Sequence, residues 1–180
     1  YMASAVCSPS RASILTGKYP VRFNMHKVFA KNEPVRNQKL IEPPTNPNLP
    51  LDTTNIARAL KTKDYVTACI GKWHVGEEGP VDLHGANLQR AELWNVRHWY
   101  EGKADHGPRA QGFDVAYDKP PEKDPDDYKR INYLTDKSIE FMENNKHRPF
   151  FLYLAHHAMH HDYEADPALI EKYRKRIQPG

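Results

Sequence analysis

Tyr128-Lys129-Arg130-Ile131-Asn132-Tyr133-Leu134-Thr135-Asp136-Lys137-Ser138-Ile139-Glu140-Phe141-Met142-Glu143-Asn144-Asn145-Lys146-His147-Arg148-Pro149-Phe150-Phe151-Leu152-Tyr153-Leu154-Ala155 changes its periodicity part-way along. In its first half Tyr128, Ile131, Leu134, Thr135, Ser138, Ile139 and Met142 recur at three and four residues, with polar side chains between them. That spacing is one face of an amphipathic helix. Asn144-Asn145-Lys146 ends it, and after Pro149 the run Phe150 to Ala155 is continuously apolar, as in a strand covered by helices on both faces. A helix leading straight into such a strand predicts an α/β protein.

The flanks extend the pattern. Upstream, Tyr65-Val66-Thr67-Ala68-Cys69-Ile70 reads as a second buried strand ending at Gly71. A short helix precedes it, with Ile56, Ala59 and Leu60 as its apolar face and Asp52 as a candidate cap. Downstream, Asp166-Pro167 opens a last helix through Leu169, Ile170 and Tyr173. Near the start Ser8-Pro9 places serine at a helix cap and proline in the first turn, and Gly17 closes the run. Tyr19 to Pro50 has five prolines in its latter part and little periodicity, the mark of a long loop. Residues 77–126, rich in Gly, Pro, His and charge, read as a surface insertion with at most a short helix near Leu88 to Trp94. The order helix, strand, insertion, helix, strand, helix predicts a mostly parallel sheet sandwiched by helices.

Composition narrows the class. The 180 residues suffice for one domain. No stretch approaches the roughly 20 apolar residues of a membrane span. The 26 basic and 23 acidic residues are scattered, giving a charge of +3 without the basic block that nucleic acid requires. Two cysteines, Cys7 and Cys69, are too few for a disulfide framework. Tyr1-Met2-Ala3 is neither a translation start nor a signal peptide, so the chain is expected to lie inside a larger protein.

Ligands of open α/β sheets bind beyond the carboxyl ends of the strands. Lys72 and His74 follow one predicted strand, and His156, His157, His160 and His161 follow the other. The third contributor is Cys7-Ser8-Pro9-Ser10-Arg11-Ala12-Ser13-Ile14-Leu15-Thr16-Gly17. Residue 7 sits at a helix N-terminus, where first-turn N–H groups and the dipole favour negative charge, and Arg11 lies one turn along on the same face. The bland reading is a small buried cysteine. A thiolate nucleophile of the tyrosine phosphatase kind needs arginine six residues after the cysteine, and Ser13 stands there.

The eleven-residue string resembles the signature of the type I, formylglycine-dependent sulfatases of the alkaline phosphatase superfamily. In that signature Cys-x-Pro-x-Arg, followed by Leu-Thr-Gly, directs oxidation of the cysteine to 3-oxoalanine (formylglycine). Gly71-Lys72-Trp73-His74 matches the family's Gly-Lys-Trp-His, and Phe150 to Leu154 running into Ala158-Met159-His160 resembles its buried strand followed by Ala-Pro-His. Met159 departs from the proline, and the neighbouring histidines leave His161 as a second choice of register. Gly112-Phe113-Asp114 matches a segment that is structural in the family. The resemblance covers essentially the whole chain, as the central part of the catalytic domain, 1–180, without its metal-binding N-terminal and C-terminal segments.

The resemblance implies a hydrolase of sulfate monoesters. Residue 7, as a hydrated aldehyde, attacks sulfur with one hydroxyl; the other then loses its proton to expel sulfate. Arg11 orients the diol and the anion, Lys72 binds sulfate, His74 handles the hydroxyl proton, and His160 contacts the ester and protonates the leaving oxygen. The implied cofactor is calcium or magnesium, to which Cys7 as formylglycine contributes one ligand and residues outside this chain the rest. Asp126-Asp127, the sole adjacent aspartate pair, reads as a helix start. The fragment alone is expected to be inactive. The implied partners are a sulfated small molecule or carbohydrate and a formylglycine-generating or anaerobic sulfatase-maturating enzyme, in a periplasmic, secreted or lysosomal setting. A formylglycine-dependent phosphonate or phosphodiester hydrolase, a non-catalytic sulfated-glycan-binding homologue and a plain thiol enzyme are the alternatives.

Overall fold

The computed structural model describes residues 3–28, 43, 45–76, 106–118, 124–160 and 163–176. Helix α1 spans Cys7–Thr16, α2 Ile56–Lys61, α3 Ile131–Asn145 and α4 Pro167–Arg174. The strands are β1 (Val66–Gly71), β2 (Val115–Tyr117) and β3 (Phe150–Ala155). They form one parallel sheet in the order β2-β1-β3, with Ala68 opposite Val115 on one side and Leu152 on the other.

Helices cover both faces, as the sequence predicts. Because side chains alternate along a strand, Cys69, Phe151 and Tyr153 face one way, into a core with Ala12 and Leu15 of α1 and Ala57 of α2. Ala68, Ile70, Phe150 and Leu152 face the other way, against Leu134 and Phe141 of α3. Fully burying a side chain such as Leu15, Ile70 or Leu134 contributes about 1.5–3 kcal/mol.

The details differ from the sequence expectations in instructive ways. Helix α1 begins at Cys7, and Ser8, expected at the cap, lies buried within its first turn. Gly17 closes it in the left-handed conformation, its N–H donating to the Ser13 carbonyl. Helix α2 is capped by Asn55 rather than Asp52: the Asn55 side chain accepts from Arg58 N at 3.2 Å while its amide donates to the Gln111 carbonyl at 2.8 Å. Because this cap faces the Gln111 carbonyl as well as Arg58 N, it must both donate and accept, which an ionised carboxylate cannot do. Helix α3 buries Leu134, Ser138, Phe141 and Asn145, leaving Ile131, Ile139 and Met142 exposed, because Phe141 packs edge-on against Phe150. Asp127 caps that helix, its two oxygens accepting from Asn132 N and Tyr133 N, as expected of a helix start.

Strand β3 is half-buried, and the apolar face of α4 is exposed at Leu169, Ile170 and Tyr173 among the described residues. Of the expected insertion 77–126, residues 77–105, with the short helix near Leu88, lie outside the described residues. Its later part is not peripheral, since Val115–Tyr117 is a strand of the sheet. Three residues are too few to show a period in sequence; pairing with β1 defines the strand.

Asp114 secures that pairing. One carboxylate oxygen accepts from Thr67 N and Thr67 Oγ1, both at 2.9 Å, and the other meets Lys61 Nζ at 2.7 Å. Burial alone would raise its pKa, but these bonds outweigh it and the net shift is downward. The depressed pKa stabilises the fold above the unfolded-state value, and that stability is lost as pH falls through the folded-state value. Asp114→Ala is expected to cost on the order of 1–3 kcal/mol at neutral pH, mainly from the Thr67 bonds rather than the solvent-screened Lys61 pair. Urea unfolding at neutral and acidic pH checks this, with the gap to the parent narrowing in acid.

Candidate active site

Three chain segments meet at the carboxyl ends of β1 and β3. The first is the start of α1, where no side chain caps the first turn and Cys7 stands half-exposed. The second leaves β1 through Gly71, whose φ of 101° is left-handed and whose added Cβ would lie 2.1 Å from the Ala155 carbonyl oxygen. Only glycine permits β3 to approach that closely. Lys72 then pins its backbone on both sides: its N–H donates to Ala155 O at 2.8 Å and its carbonyl accepts from Arg11 Nη1 at 2.6 Å. Trp73 and Val75 are buried, Trp73 donating from Nε1 to the His106 carbonyl at 2.9 Å. Lys72 and His74, alternating with them, are thereby left to the site. The third segment follows β3 and carries His157 and His160.

His74 departs from extended backbone. Its φ is 56°, a left-handed conformation that costs a non-glycine residue about 1–3 kcal/mol and that surrounding structure must enforce. Here the anchored neighbours Trp73 and Val75 enforce it. The result is that His74 Nδ1 lies 3.1 Å from Cys7 Sγ.

Charge around this contact is one-sided. His74 is pushed down to about 4, first by burial and then by the positive charges of Lys72, Arg11, His160 and His157. The imidazole is therefore neutral at neutral pH. Lys72 is also lowered, chiefly by burial and further by Arg11, against the opposing influence of Cys7 and Asp118. Arg11 Nη1 donates to Tyr153 Oη at 3.2 Å, while its Nε is buried with no hydrogen-bond partner among the described residues. Burial pushes the Tyr153 hydroxyl up, so it stays protonated beside the guanidinium.

Of the five residues singled out in sequence, Cys7, Arg11, Lys72 and His74 converge. His160 occupies the exposed rim, in a turn where its N–H donates to the His157 carbonyl at 3.0 Å, and its charge reaches His74. His161, the second choice of register, lies outside the described residues. Two features escaped the sequence reading. Tyr153 backs Arg11, and its only signal was a polar tip in an apolar strand. His157 Nε2 contacts Asp118 Oδ1, a pair made by the sheet order alone.

The family model for sulfatases matches residues 1–180. The chain belongs to the sulfatase family. This sulfatase chain is 32% identical over 177 residues to an arylsulfatase of Hemicentrotus pulcherrimus, covering 89% of the chain and 30% of that protein. It is 27% identical to arylsulfatase J of Mus musculus, covering 98% of the chain and 29% of that protein. A solved structure described under glycosaminoglycan metabolism by Bacteroides thetaiotaomicron superposes with a TM-score of 0.62 at 20% identity, over 99% of the chain and 38% of that structure. That likeness establishes the alkaline phosphatase-like fold. The sulfatase chain thus spans about three tenths of the length of these two arylsulfatases.

Family membership implies a divalent cation, and the described residues do not fit one. Among them no three His, Cys, Asp or Glu side chains form a group able to hold a metal. Cys7 is surrounded by cations and imidazoles, whereas calcium takes about six to eight oxygens. Asp127 has both oxygens committed to the α3 cap. Among the described residues no helix is long and apolar enough to cross a membrane.

Proposed function

We propose that this chain carries the nucleophile and anion-binding half of a hydrolase that cleaves sulfate monoesters, with residue 7 converted to formylglycine. The observation that carries the reading is the 3.1 Å contact between Cys7 Sγ and His74 Nδ1 inside a ring of positive charge. Sγ stands where an oxygen on the same Cβ would stand after oxidation. The hydrated aldehyde supplies two oxygens on one carbon, one to bond sulfur and one whose electron pair later releases sulfate.

This chain's own groups do the rest. Lys72 and Arg11 oppose the negative charge of the sulfuryl oxygens in a partly buried site, the largest expected contribution to rate. Arg11 is held from behind by the Lys72 carbonyl and Tyr153, so its guanidinium is oriented before substrate arrives. His74, neutral because its pKa is about 4, takes the hydroxyl proton through Nδ1 when its other nitrogen carries the hydrogen. His160, on the rim, protonates the departing ester oxygen. The described residues supply no group able to hold a cation, and the 180 residues by themselves are proposed to be inactive. A sulfated small molecule or carbohydrate is the proposed substrate class.

The test is mass spectrometry of the peptide Ala3 to Lys18 from the full-length protein, made with and without a maturation enzyme, beside rates on aryl sulfate and aryl phosphonate esters. The expected peptide exchanges hydrogen sulfide for oxygen, in step with sulfatase activity. Full sulfatase activity with an intact thiol overturns the mechanism, and faster phosphonate cleavage overturns the substrate class.

A further inference from the structure

Strand β1 lies between β2 and β3, and each outer strand sends a polar side chain across its carboxyl end. Asp118 directly follows β2 and His157 follows β3 by two residues, and Asp118 Oδ1 meets His157 Nε2 across the point where Lys72 departs. Both side chains are largely enclosed, at 11% and 19% exposure. The contact ties the Asp118 carboxylate to the His157 ring. His157 also begins the turn that ends at His160, whose N–H donates to the His157 carbonyl.

We propose that Asp118 and His157 form a positioning pair that straps the two outer strands together over Lys72 and sets the place of His160 at the leaving oxygen. The inference rests on the reading of His160 as the acid of the reaction. Asp118 and His157 touch neither Cys7 nor the sulfuryl group in this scheme; they act through the turn. Asp118 also bears on the site directly, opposing the lowering of the Lys72 pKa.

Leaving-group dependence separates this role from general support of the fold. A nitrophenyl sulfate expels a stable anion and needs little help from an acid, whereas an alkyl sulfate needs its oxygen protonated. In the mature full-length protein, Asp118→Ala and His157→Ala are each expected to lower kcat on an alkyl sulfate about 10–100-fold, the scale of a misplaced catalytic group, and on nitrophenyl sulfate only a few-fold. The double variant should be no worse than the poorer single one, since both remove one contact. Where Asp118→Ala does not accumulate as folded protein, His157→Ala, the more exposed partner, reads the same ratio. Equal losses on the two esters, or none on either, overturn the positioning role. A parent protein inert toward both esters instead removes the proposed reaction, so the two failures are distinguishable.

Discussion

Cys7→Ser is expected to stop turnover while leaving the first chemical step intact. Serine keeps the size of cysteine at a half-exposed position and places one oxygen on Cβ where Sγ now lies, 3.1 Å from His74 Nδ1. That oxygen can attack sulfur with His74 taking its proton and the alcohol departing. The second half then fails, because Cβ bears no second hydroxyl whose proton His74 could remove to drive sulfate off. Release falls to attack by water on a covalent sulfate ester, at a centre shielded by the same cations that bind it. A loss of at least about 10³-fold in steady-state rate, or about 4 kcal/mol in barrier, is the expected scale. Mass spectrometry of the variant's peptide Ala3 to Lys18 after exposure to an aryl sulfate should find the sulfuryl group on the introduced serine, with one equivalent of phenol released. Cys7→Ala should show neither burst nor adduct. Undiminished turnover by the serine variant would mean that the second oxygen is not needed.

How much of this was legible in sequence follows from how local each feature is. Strand β3 and the helix before it declare themselves through the pattern of their own side chains, and β1 through the run Tyr65 to Ile70 that ends at Gly71. The segments bearing Cys7, Arg11, Lys72 and His74 carry fixed motifs, so the residues could be named before their meeting was seen. What stayed hidden depends on partners far along the chain. Val115–Tyr117 is a strand only because β1 lies beside it, and Asn55 outranks Asp52 as a cap only because Gln111 packs against it. The side of α3 that is buried turns on Phe141 finding Phe150, a contact that outweighs the regular recurrence of Ile131, Ile139 and Met142. Asp118 and His157 are 39 residues apart and meet because the sheet order puts their strands on either side of β1. Tyr153 gains its role from Arg11, which reaches it from the opposite end of the chain.

Lys72→Ala is expected to produce the second large effect, and it separates charge from architecture. The Lys72 backbone is fixed by Ala155 O and Arg11 Nη1, bonds that alanine retains, so the turn through Gly71 to His74 should survive. What is lost is a compact positive charge in a partly buried site, where no solvent dipole is free to replace it at the moment of reaction. Removing one such group typically costs about 10²–10³-fold in rate. The pH profile supplies an independent sign. Burial lowers the Lys72 pKa, and Arg11 adds to the shift despite Cys7 and Asp118. The active form is the protonated one, so kcat/KM should fall as pH rises through that depressed value, at lower pH than an ordinary lysine would dictate. Lys72→Arg keeps its charge throughout this range and should abolish the alkaline limb, even though its planar head fits a site built for an ammonium less well. Bound sulfate favours the charged lysine, so in the parent enzyme the limb in kcat should stand at higher pH than the limb in kcat/KM. An alkaline limb unmoved by Lys72→Arg would assign it to another group and leave Lys72 without the anion-binding role.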